Sequence, residues 1–125
     1  MEVKNINDAP AAIGPYCHAV KTGNLVFCSG QTPLDPETNQ IAGSEIGEQT
    51  KRALQNIEMV LNGMGLTLQN VIKSTVYLKD MDDFEGMNTA YAEMFYPHRP
   101  ARTTISVRRN PLDALVEIET IAEIS

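Results

Sequence analysis

One arginine is the strongest candidate in this sequence for binding a substrate. Arg102 follows Pro100-Ala101 and opens a predicted strand. A guanidinium is planar and binds a carboxylate through two parallel hydrogen bonds. The alternative is a surface arginine, or an ion pair with Glu117 or Glu119, since exposed ion pairs are common and contribute little. Arg102 is therefore a candidate for carboxylate binding.

Two glutamates could supply acid or base chemistry. Glu117 and Glu119 lie two residues apart, so they share one face of a predicted strand. A carboxylate there could hold a water molecule or act as a general acid or base. The alternative is a solvated polar face of the strand.

The other polar candidates lie near predicted turns or on a helix. Ser29-Gly30 ends an apolar strand, where a glycine lets a ligand approach the backbone and its N–H can bind an anion. Ser29 lacks the Gly-x-Ser-x-Gly context of a hydrolase nucleophile, so a strand-end turn is the alternative. Tyr16 could bind substrate or only pack with its hydroxyl in water. Asn88, within an apolar helical stripe, needs hydrogen-bond partners if it is buried.

The composition limits the chemistry that this chain can perform. A net charge of −6 over 125 residues opposes broad nucleic-acid affinity. Two cysteines, Cys17 and Cys28, and two histidines, His18 and His98, are too few and too separated for a transition-metal site. No apolar run is long enough to span a bilayer, and no signal peptide follows Met1. We expect one soluble, cytoplasmic domain over residues 1–125, with free thiols.

Hydrophobic periodicity predicts the elements that position these residues. Gly23-Asn24 predicts a hairpin between strands 19–22 and 25–28. A helix is predicted over 45–64 with Ser44 as N-cap. A second helix begins at Asp82 with a capping box to Glu85 and ends before Pro97.

Three more strands complete the predicted sheet. The strand 71–79 is expected to direct Ile72, Val76 and Leu78 to one face. Strands 103–109 and 115–124 close the chain. The order predicts an α+β fold, with two helices packed on one face of a mixed sheet. The other face mixes charged and apolar residues, which favours an oligomer with sites where subunits meet.

Five segments together resemble a known family. They are Ala9-Pro10-Ala11-Ala12-Ile13-Gly14-Pro15-Tyr16, Ser29-Gly30-Gln31-Thr32-Pro33-Leu34, Met87-Asn88-Thr89-Ala90-Tyr91, Pro100-Ala101-Arg102-Thr103 and Leu115-Val116-Glu117-Ile118-Glu119-Thr120-Ile121-Ala122. In this order they resemble the reactive intermediate/imine deaminases, the RidA family formerly called YjgF. The resemblance covers nearly the whole chain.

The resemblance implies a chorismate-mutase-like fold of the bacillus type, assembled as a homotrimer with active sites between subunits. It implies a 2-iminobutanoate/2-iminopropanoate deaminase, which converts short-lived enamines and imines such as 2-aminoacrylate to 2-oxo acids and ammonia. No metal or organic cofactor is implied. The competing hypotheses are an RNA-directed translation inhibitor or endoribonuclease, and a 2-oxo acid binding or chaperone-like module without turnover.

The resemblance also assigns roles to residues. Arg102 matches the arginine that binds the substrate carboxylate, and Glu117 matches the carboxylate near the attacking water. Tyr16, Ser29, Gly30 and Asn88 match polar pocket positions, with Tyr16 and Ser29 as candidate proton relays. Glu119 is expected at the trimer or sheet surface. Thr104 stands where many members have cysteine, and we expect it to narrow or repolarise the substrate pocket.

Overall fold

A computed structural model describes all residues, 1–125, and contains one sheet and two α-helices. The strands are β1 (Glu2–Lys4), β2 (Ala19–Thr22), β3 (Leu25–Gln31), β4 (Val71–Leu78), β5 (Ala101–Ser106) and β6 (Val116–Glu123). The order across the sheet is β1-β2-β3-β6-β4-β5. Four of the neighbouring pairs are antiparallel, and β4 and β5 alone pair in parallel.

Both helices pack on one face of the sheet, which confirms the predicted α+β arrangement. They are α1 (Ile46–Asn62) and α2 (Phe84–Phe95). One hydrophobic cluster joins helix residues such as Leu54 and Ile57 to strand residues such as Val76 and Ile118, all of them fully buried. Burial of a large aliphatic side chain stabilises a fold by about 1.5–3 kcal/mol. The core therefore lies on this face, which we call the covered face.

The helix starts differ from the predicted ones. The N-cap position of α1 is occupied by Glu45 and not by Ser44, and no side chain makes a capping hydrogen bond to its first turn. The predicted capping box of α2 is wrong: the Asp80 carboxylate accepts a hydrogen bond from the Asp82 N–H and starts a 3-10 turn that leads into α2 at Phe84. Aspartate side chains readily accept hydrogen bonds from nearby backbone N–H groups, so Asp80 caps this turn in place of the predicted Asp82.

The hairpin between β2 and β3 agrees with the prediction. Thr22 pairs with Leu25 around Gly23-Asn24, and Gly23 has a φ of 58°, which glycine adopts without strain. Cys28 lies opposite Ala19, and both Cys17 and Cys28 are free thiols.

In strand β4, the prediction that Ile72 points to the core is wrong. The pairing of β4 with β6 shifts register between Val71 and Lys73. Val71 is fully buried as a result, and Ile72, predicted on the core side, is 41% exposed. A bulge adds one residue to a strand and turns the next side chains to the opposite face, which alternation alone cannot reveal. Strand β1 was also not predicted, because three residues carry almost no periodic signal.

The opposite face of the sheet carries no helix, and we call it the open face. It presents Glu117 and Glu119 from β6 between the buried residues Val116, Ile118 and Thr120, as the alternation predicted. It also exposes Phe27 and Ile105, each more than two-fifths accessible. Neither α-helix has the length and apolar character that crossing a membrane would require.

Candidate active site

Arg102 lies on the covered face, at the edge strand, against helix α2. Its guanidinium carbon is 4.8 Å from the ring centre of Tyr91 and 5.7 Å from that of Phe84. Nη1 lies 3.9 Å from the sulfur of Met87. Arg102 is half-buried, and aromatic faces attract a cation, so these two rings hold the guanidinium in place before any ligand binds.

Arg102 belongs to none of the ion pairs of the chain, which involve Lys4, Lys51, Lys79 and Arg109. The alternative of an ion pair with Glu117 or Glu119 is wrong, because those side chains lie on the open face. Apart from the weak contact of Nη1 with the Met87 sulfur, the guanidinium therefore keeps its hydrogen-bond donors free for a carboxylate from elsewhere.

A cavity of about 360 Å³ adjoins Arg102, and we call it the arginine pocket. Asn88 lines it from α2, and the chain between α2 and β5 closes it. The Oδ1 atom of Asn88 and the Oγ1 atom of Thr104 are buried without a hydrogen-bond partner. Such a polar atom costs about 1–3 kcal/mol unless a bound molecule supplies the partner, and Asn88 lies where a molecule in the arginine pocket could do so.

Glu117 lines a second cavity of about 470 Å³ on the open face, which we call the carboxylate pocket. Three of the predicted site residues line it with Glu117: Tyr16 from the segment before β2, and Ser29 and Gly30 from the end of β3. The structure thus divides the predicted residues into two groups, with Arg102 and Asn88 in one pocket and these four in the other. Thr104 lies on β5 and lines neither pocket.

Gly30 makes room for the Glu117 side chain. A Cβ atom built at Gly30 would lie 3.0 Å from Cδ of Glu117, which is tighter than nine in ten real contacts of that kind. A side chain at this position would therefore make the carboxyl group shift. The glycine leaves the space that the Glu117 carboxyl group occupies.

The pKa of Glu117 is raised above the ordinary value for glutamate. Burial disfavours the charged carboxylate, and the nearby negative charge of Glu119 adds to the effect. A carboxyl group whose pKa moves toward neutrality exchanges protons more effectively near neutral pH. This is the protonation behaviour that a general acid or base requires.

The two hydroxyl groups of this pocket differ in what they can donate. Ser29 Oγ donates to the carbonyl of Cys17 at 2.7 Å, so its proton is engaged and its oxygen can still accept. Tyr16 accepts from the N–H of Ile13 at 3.3 Å and leaves its own proton free. Because its side chain is 46% exposed, Tyr16 can reach a bound molecule.

Sequence reasoning missed Tyr77, which also lines the carboxylate pocket. Its phenol donates a hydrogen bond to the Glu119 carboxylate. This bond, with burial and the charges of Glu119 and Glu117, raises the pKa of Tyr77 to about 12. The residue lies opposite Glu117 in the β4–β6 ladder, and only the strand pairing could have revealed that.

The histidines have structural partners. His18 is buried; its Nδ1 accepts from the N–H of Ile6 at 2.8 Å, and its Nε2 donates to the carbonyl of Pro10 at 2.7 Å. These bonds anchor the segment that carries Tyr16. His98 Nε2 lies 2.6 Å from the carbonyl of Val71. No three His, Cys, Asp or Glu side chains lie close enough to hold a metal ion.

Comparison with known proteins identifies the family. The model of the Endoribonuclease L-PSP family matches residues 6–124. A RutC family protein of Pyrococcus horikoshii is 50% identical over 97% of this chain and 96% of its own. The 2-iminobutanoate/2-iminopropanoate deaminase of Salmonella typhimurium is 40% identical over 92% of this chain and 91% of its own.

A solved structure extends this similarity to the fold. Escherichia coli TdcF with bound serine superposes with a TM-score of 0.91 at 38% identity, covering 98% of this chain and 99% of its own. The similarity of fold thus extends over nearly the whole chain. The chain therefore belongs to the RidA (YjgF) family, the family described as Endoribonuclease L-PSP.

Proposed function

We propose that this protein is a cofactor-free deaminase that hydrolyses reactive 2-imino acids and their enamines to 2-oxo acids and ammonia. The observation that carries the proposal is the half-buried Arg102, oriented by aromatic rings and without an acidic partner. Such a group selects a small anion, and a 2-imino acid has one carboxylate beside the carbon to be hydrolysed.

In the proposed reaction, Arg102 binds the substrate carboxylate and holds the C=N carbon in the cleft. Glu117 holds a water molecule and takes its proton as the oxygen attacks that carbon. That proton passes to the imine nitrogen to give a carbinolamine. The hydroxyl proton of the carbinolamine then moves to the same nitrogen as the C=O bond forms, the C–N bond breaks, and ammonia leaves with the 2-oxo acid. Free imines already hydrolyse in water, so orientation of substrate and water can supply much of the acceleration.

An enamine such as 2-aminoacrylate must first become an imine. Its methylene carbon gains a proton and its nitrogen loses one, so a relay near the substrate is needed. Tyr16 supports this step because its phenolic proton is free. Ser29 can accept a hydrogen bond from the substrate nitrogen while its own hydrogen bond to Cys17 holds it in place. The 2-oxo acid product retains the carboxylate that Arg102 binds.

The proposed assembly is a homotrimer with the sites between subunits. The arginine pocket and the carboxylate pocket lie on opposite faces of the sheet, so the open face of one copy must meet the edge of another to unite them. The exposed apolar residues Phe27 and Ile105 on the open face support such packing. A thin domain of this kind builds clefts most readily where subunits meet.

The names of relatives support the substrate class. The Salmonella relative is called a 2-iminobutanoate/2-iminopropanoate deaminase, and the Escherichia coli structure contains bound serine, a small amino acid with the same carboxylate. Other names in the family point to ribonuclease activity. A net charge of −6 argues against broad RNA affinity for this chain.

The decisive experiment generates 2-aminoacrylate in situ with a pyridoxal-phosphate dehydratase and follows its decay. We expect the purified protein to accelerate the decay and to yield pyruvate and ammonia in equal amounts. Unchanged decay would exclude the deaminase. Thermal stabilisation by a 2-oxo acid without turnover would indicate a binding module, and salt-sensitive RNA cleavage by highly purified protein would indicate the ribonuclease.

A further inference from the structure

A second carboxylate lies beside Glu117 and is held by a tyrosine. Tyr77 on β4 lies opposite Glu117 in the ladder, and Thr75 lies opposite Glu119. The phenol of Tyr77 therefore reaches diagonally along the open face, where it donates to Glu119 Oε1. Diagonal neighbours in an antiparallel pair are within reach of an aromatic side chain. Tyr77, Glu117 and Glu119 all line the carboxylate pocket.

The hydrogen bond restricts a side chain that would otherwise be free. A glutamate has three rotatable bonds, and an unbound carboxylate turns toward water, away from another negative charge. The phenol prevents this by holding Glu119 against the sheet.

We propose that Tyr77 is a positioning residue for imine hydrolysis: its phenol fixes the Glu119 carboxylate next to Glu117 and so keeps a second negative charge beside the reacting acid. This inference rests on the proposed function for its chemical meaning. The hydrogen bond from Tyr77 to Glu119, the pairing of β4 with β6 and the pocket that these residues share with Glu117 support the positioning role of Tyr77.

The protonation of these groups agrees with the geometry. The pKa of Tyr77 is raised to about 12, so the phenol stays protonated and remains a donor throughout the neutral range. The pKa of Glu117 is raised by burial first and by the charge of Glu119 second. The position of Glu119 therefore contributes directly to the basicity of Glu117.

No other charged group offers a comparable influence on Glu117. Besides Tyr77 and Glu119, the titratable side chains around it are Tyr16 and His18 from the segment before β2, and His18 is bonded to Ile6 and Pro10. Lys73, near the start of β4, donates a hydrogen bond to Thr103. Lys79, just after the end of β4, forms an ion pair with Asp113. The charge of Glu119 is the nearest one whose position the fold controls.

The chemical consequence is a carboxyl group that can move protons one at a time through the whole reaction. Glu117 takes a proton from water as the C–O bond forms and passes it to the imine nitrogen, which gives a carbinolamine with an NH2 group. It then takes the hydroxyl proton of the carbinolamine as the C=O bond forms and passes it to the same nitrogen as the C–N bond breaks, so that ammonia leaves. A base that is too weak would perform the first transfer poorly, which is why a neighbouring anion is useful.

The first test needs no turnover. The carboxyl carbon of Glu117 is followed by NMR against pH in the wild type, Glu119→Gln and Tyr77→Phe, with glutamate labelled at Cδ. We expect Glu119→Gln to lower the pKa of Glu117, since the repelling charge is gone. We expect Tyr77→Phe to lower it less, since the freed Glu119 turns toward water. Glu123→Gln, an exposed glutamate on the same strand, is the matched control and should leave it unchanged.

An unchanged Glu117 titration in Tyr77→Phe would overturn the proposal, even if Glu119→Gln shifts it. If Glu119→Gln does not fold, Tyr77→Phe decides alone. The second test is the pH profile of kcat/KM for imine hydrolysis, whose acid limb should move to lower pH in both variants. Absence of turnover in the wild type would refute the proposed function, while the NMR titration would still judge the role of Tyr77.

Discussion

The arginine pocket and the carboxylate pocket hold opposite charges on opposite faces of one sheet, and they hold them by different means. Arg102 is fixed by the rings of Tyr91 and Phe84, which stabilise a cation without neutralising it. Glu117 is held in the space left by Gly30 and lies beside another negative charge. In the first pocket the charge is stabilised, and in the second it is destabilised.

This difference matches the two kinds of work in the proposed reaction. A group that binds a carboxylate should stay charged at all times, whereas a group that exchanges protons should have both forms within reach. Each pocket also lacks what the other provides. The arginine pocket has no carboxyl group, and the carboxylate pocket has no lysine or arginine to bind a substrate.

The largest expected effect is the loss of the guanidinium. Replacing Arg102 by alanine should reduce kcat/KM for 2-aminoacrylate by at least about thirtyfold, because removing one partner of a desolvated charge pair costs about 2–5 kcal/mol. The measurement is the in situ decay assay with circular dichroism to show that the variant folds.

Arg108→Ala is the matched control, since Arg108 is exposed beyond the end of β5. It should retain wild-type activity. Full activity in a folded Arg102→Ala protein would refute the role of Arg102 in binding the substrate.

Mixing two inactive variants tests whether the pockets combine between copies. Arg102→Ala and Glu117→Gln are each expected to be inactive alone. If a site takes Arg102 from one subunit and Glu117 from its neighbour, random mixed assemblies should recover about a quarter of wild-type activity, because one site in four then has both intact residues.

The mixture is prepared by unfolding and refolding the two variants together, with light scattering to establish the oligomeric state. Refolding each variant separately and then assaying the sum is the control. No recovery from a mixed oligomer, or full wild-type activity in a monomer, would show that one copy forms the site by itself.

A smaller effect is expected from filling the space beside Glu117. Gly30→Ala would bring a Cβ atom to 3.0 Å from the Glu117 carboxyl carbon, so the carboxyl group must move by a few tenths of an ångström. We expect kcat to fall about tenfold, since misplacing a reacting group by 1 Å can cost about a hundredfold.

The control for this change is Gly47→Ala in α1, where an added Cβ meets nothing within 4 Å. It should leave activity unchanged and stabilise the helix by up to about 1 kcal/mol. Wild-type kcat in Gly30→Ala would mean that the position of the Glu117 carboxyl group does not matter.

Much of this architecture could be predicted because it depends on local pattern. The alternation of β6 separates Ile118 from Glu117, and the Gly23-Asn24 loop fixes the hairpin. These signals are periodic or involve neighbours in sequence, so one chain read alone contains them.

The remaining features depend on pairings between distant segments. The bulge that exposes Ile72 arises where β4 meets β6, and the bond from Tyr77 to Glu119 joins residues 42 positions apart. That Arg102 and Glu117 lie on opposite faces follows from the parallel pairing of β5 with β4, a register that neither strand encodes by itself. The division of the site into two pockets was therefore beyond sequence reasoning.

The smallest expected effect is that of Glu117→Gln on the free energy of unfolding, which tests whether the charge in the carboxylate pocket destabilises the fold. Since the pKa of Glu117 is raised in the folded protein, the native state binds this proton more tightly than the unfolded chain does. The free energy of unfolding therefore falls as pH rises from the ordinary pKa of glutamate through the raised pKa of Glu117, and at higher pH the charged carboxylate continues to destabilise the fold. Glu117→Gln removes this destabilising charge, so it should increase the free energy of unfolding at about pH 8 and change it much less at about pH 3.

Urea unfolding at equal protein concentration measures both values, because assembly makes stability depend on concentration. Ile118→Ala, one residue along β6 on the covered face, should instead cost about 2–5 kcal/mol at either pH. A Glu117→Gln protein that is less stable at about pH 8 would contradict the contrast drawn between the pockets, because the acid would then be stabilised in the fold like Arg102. If Glu117→Gln is more stable than the wild type but has lost turnover, Glu117 serves the reaction and lowers the stability of the fold.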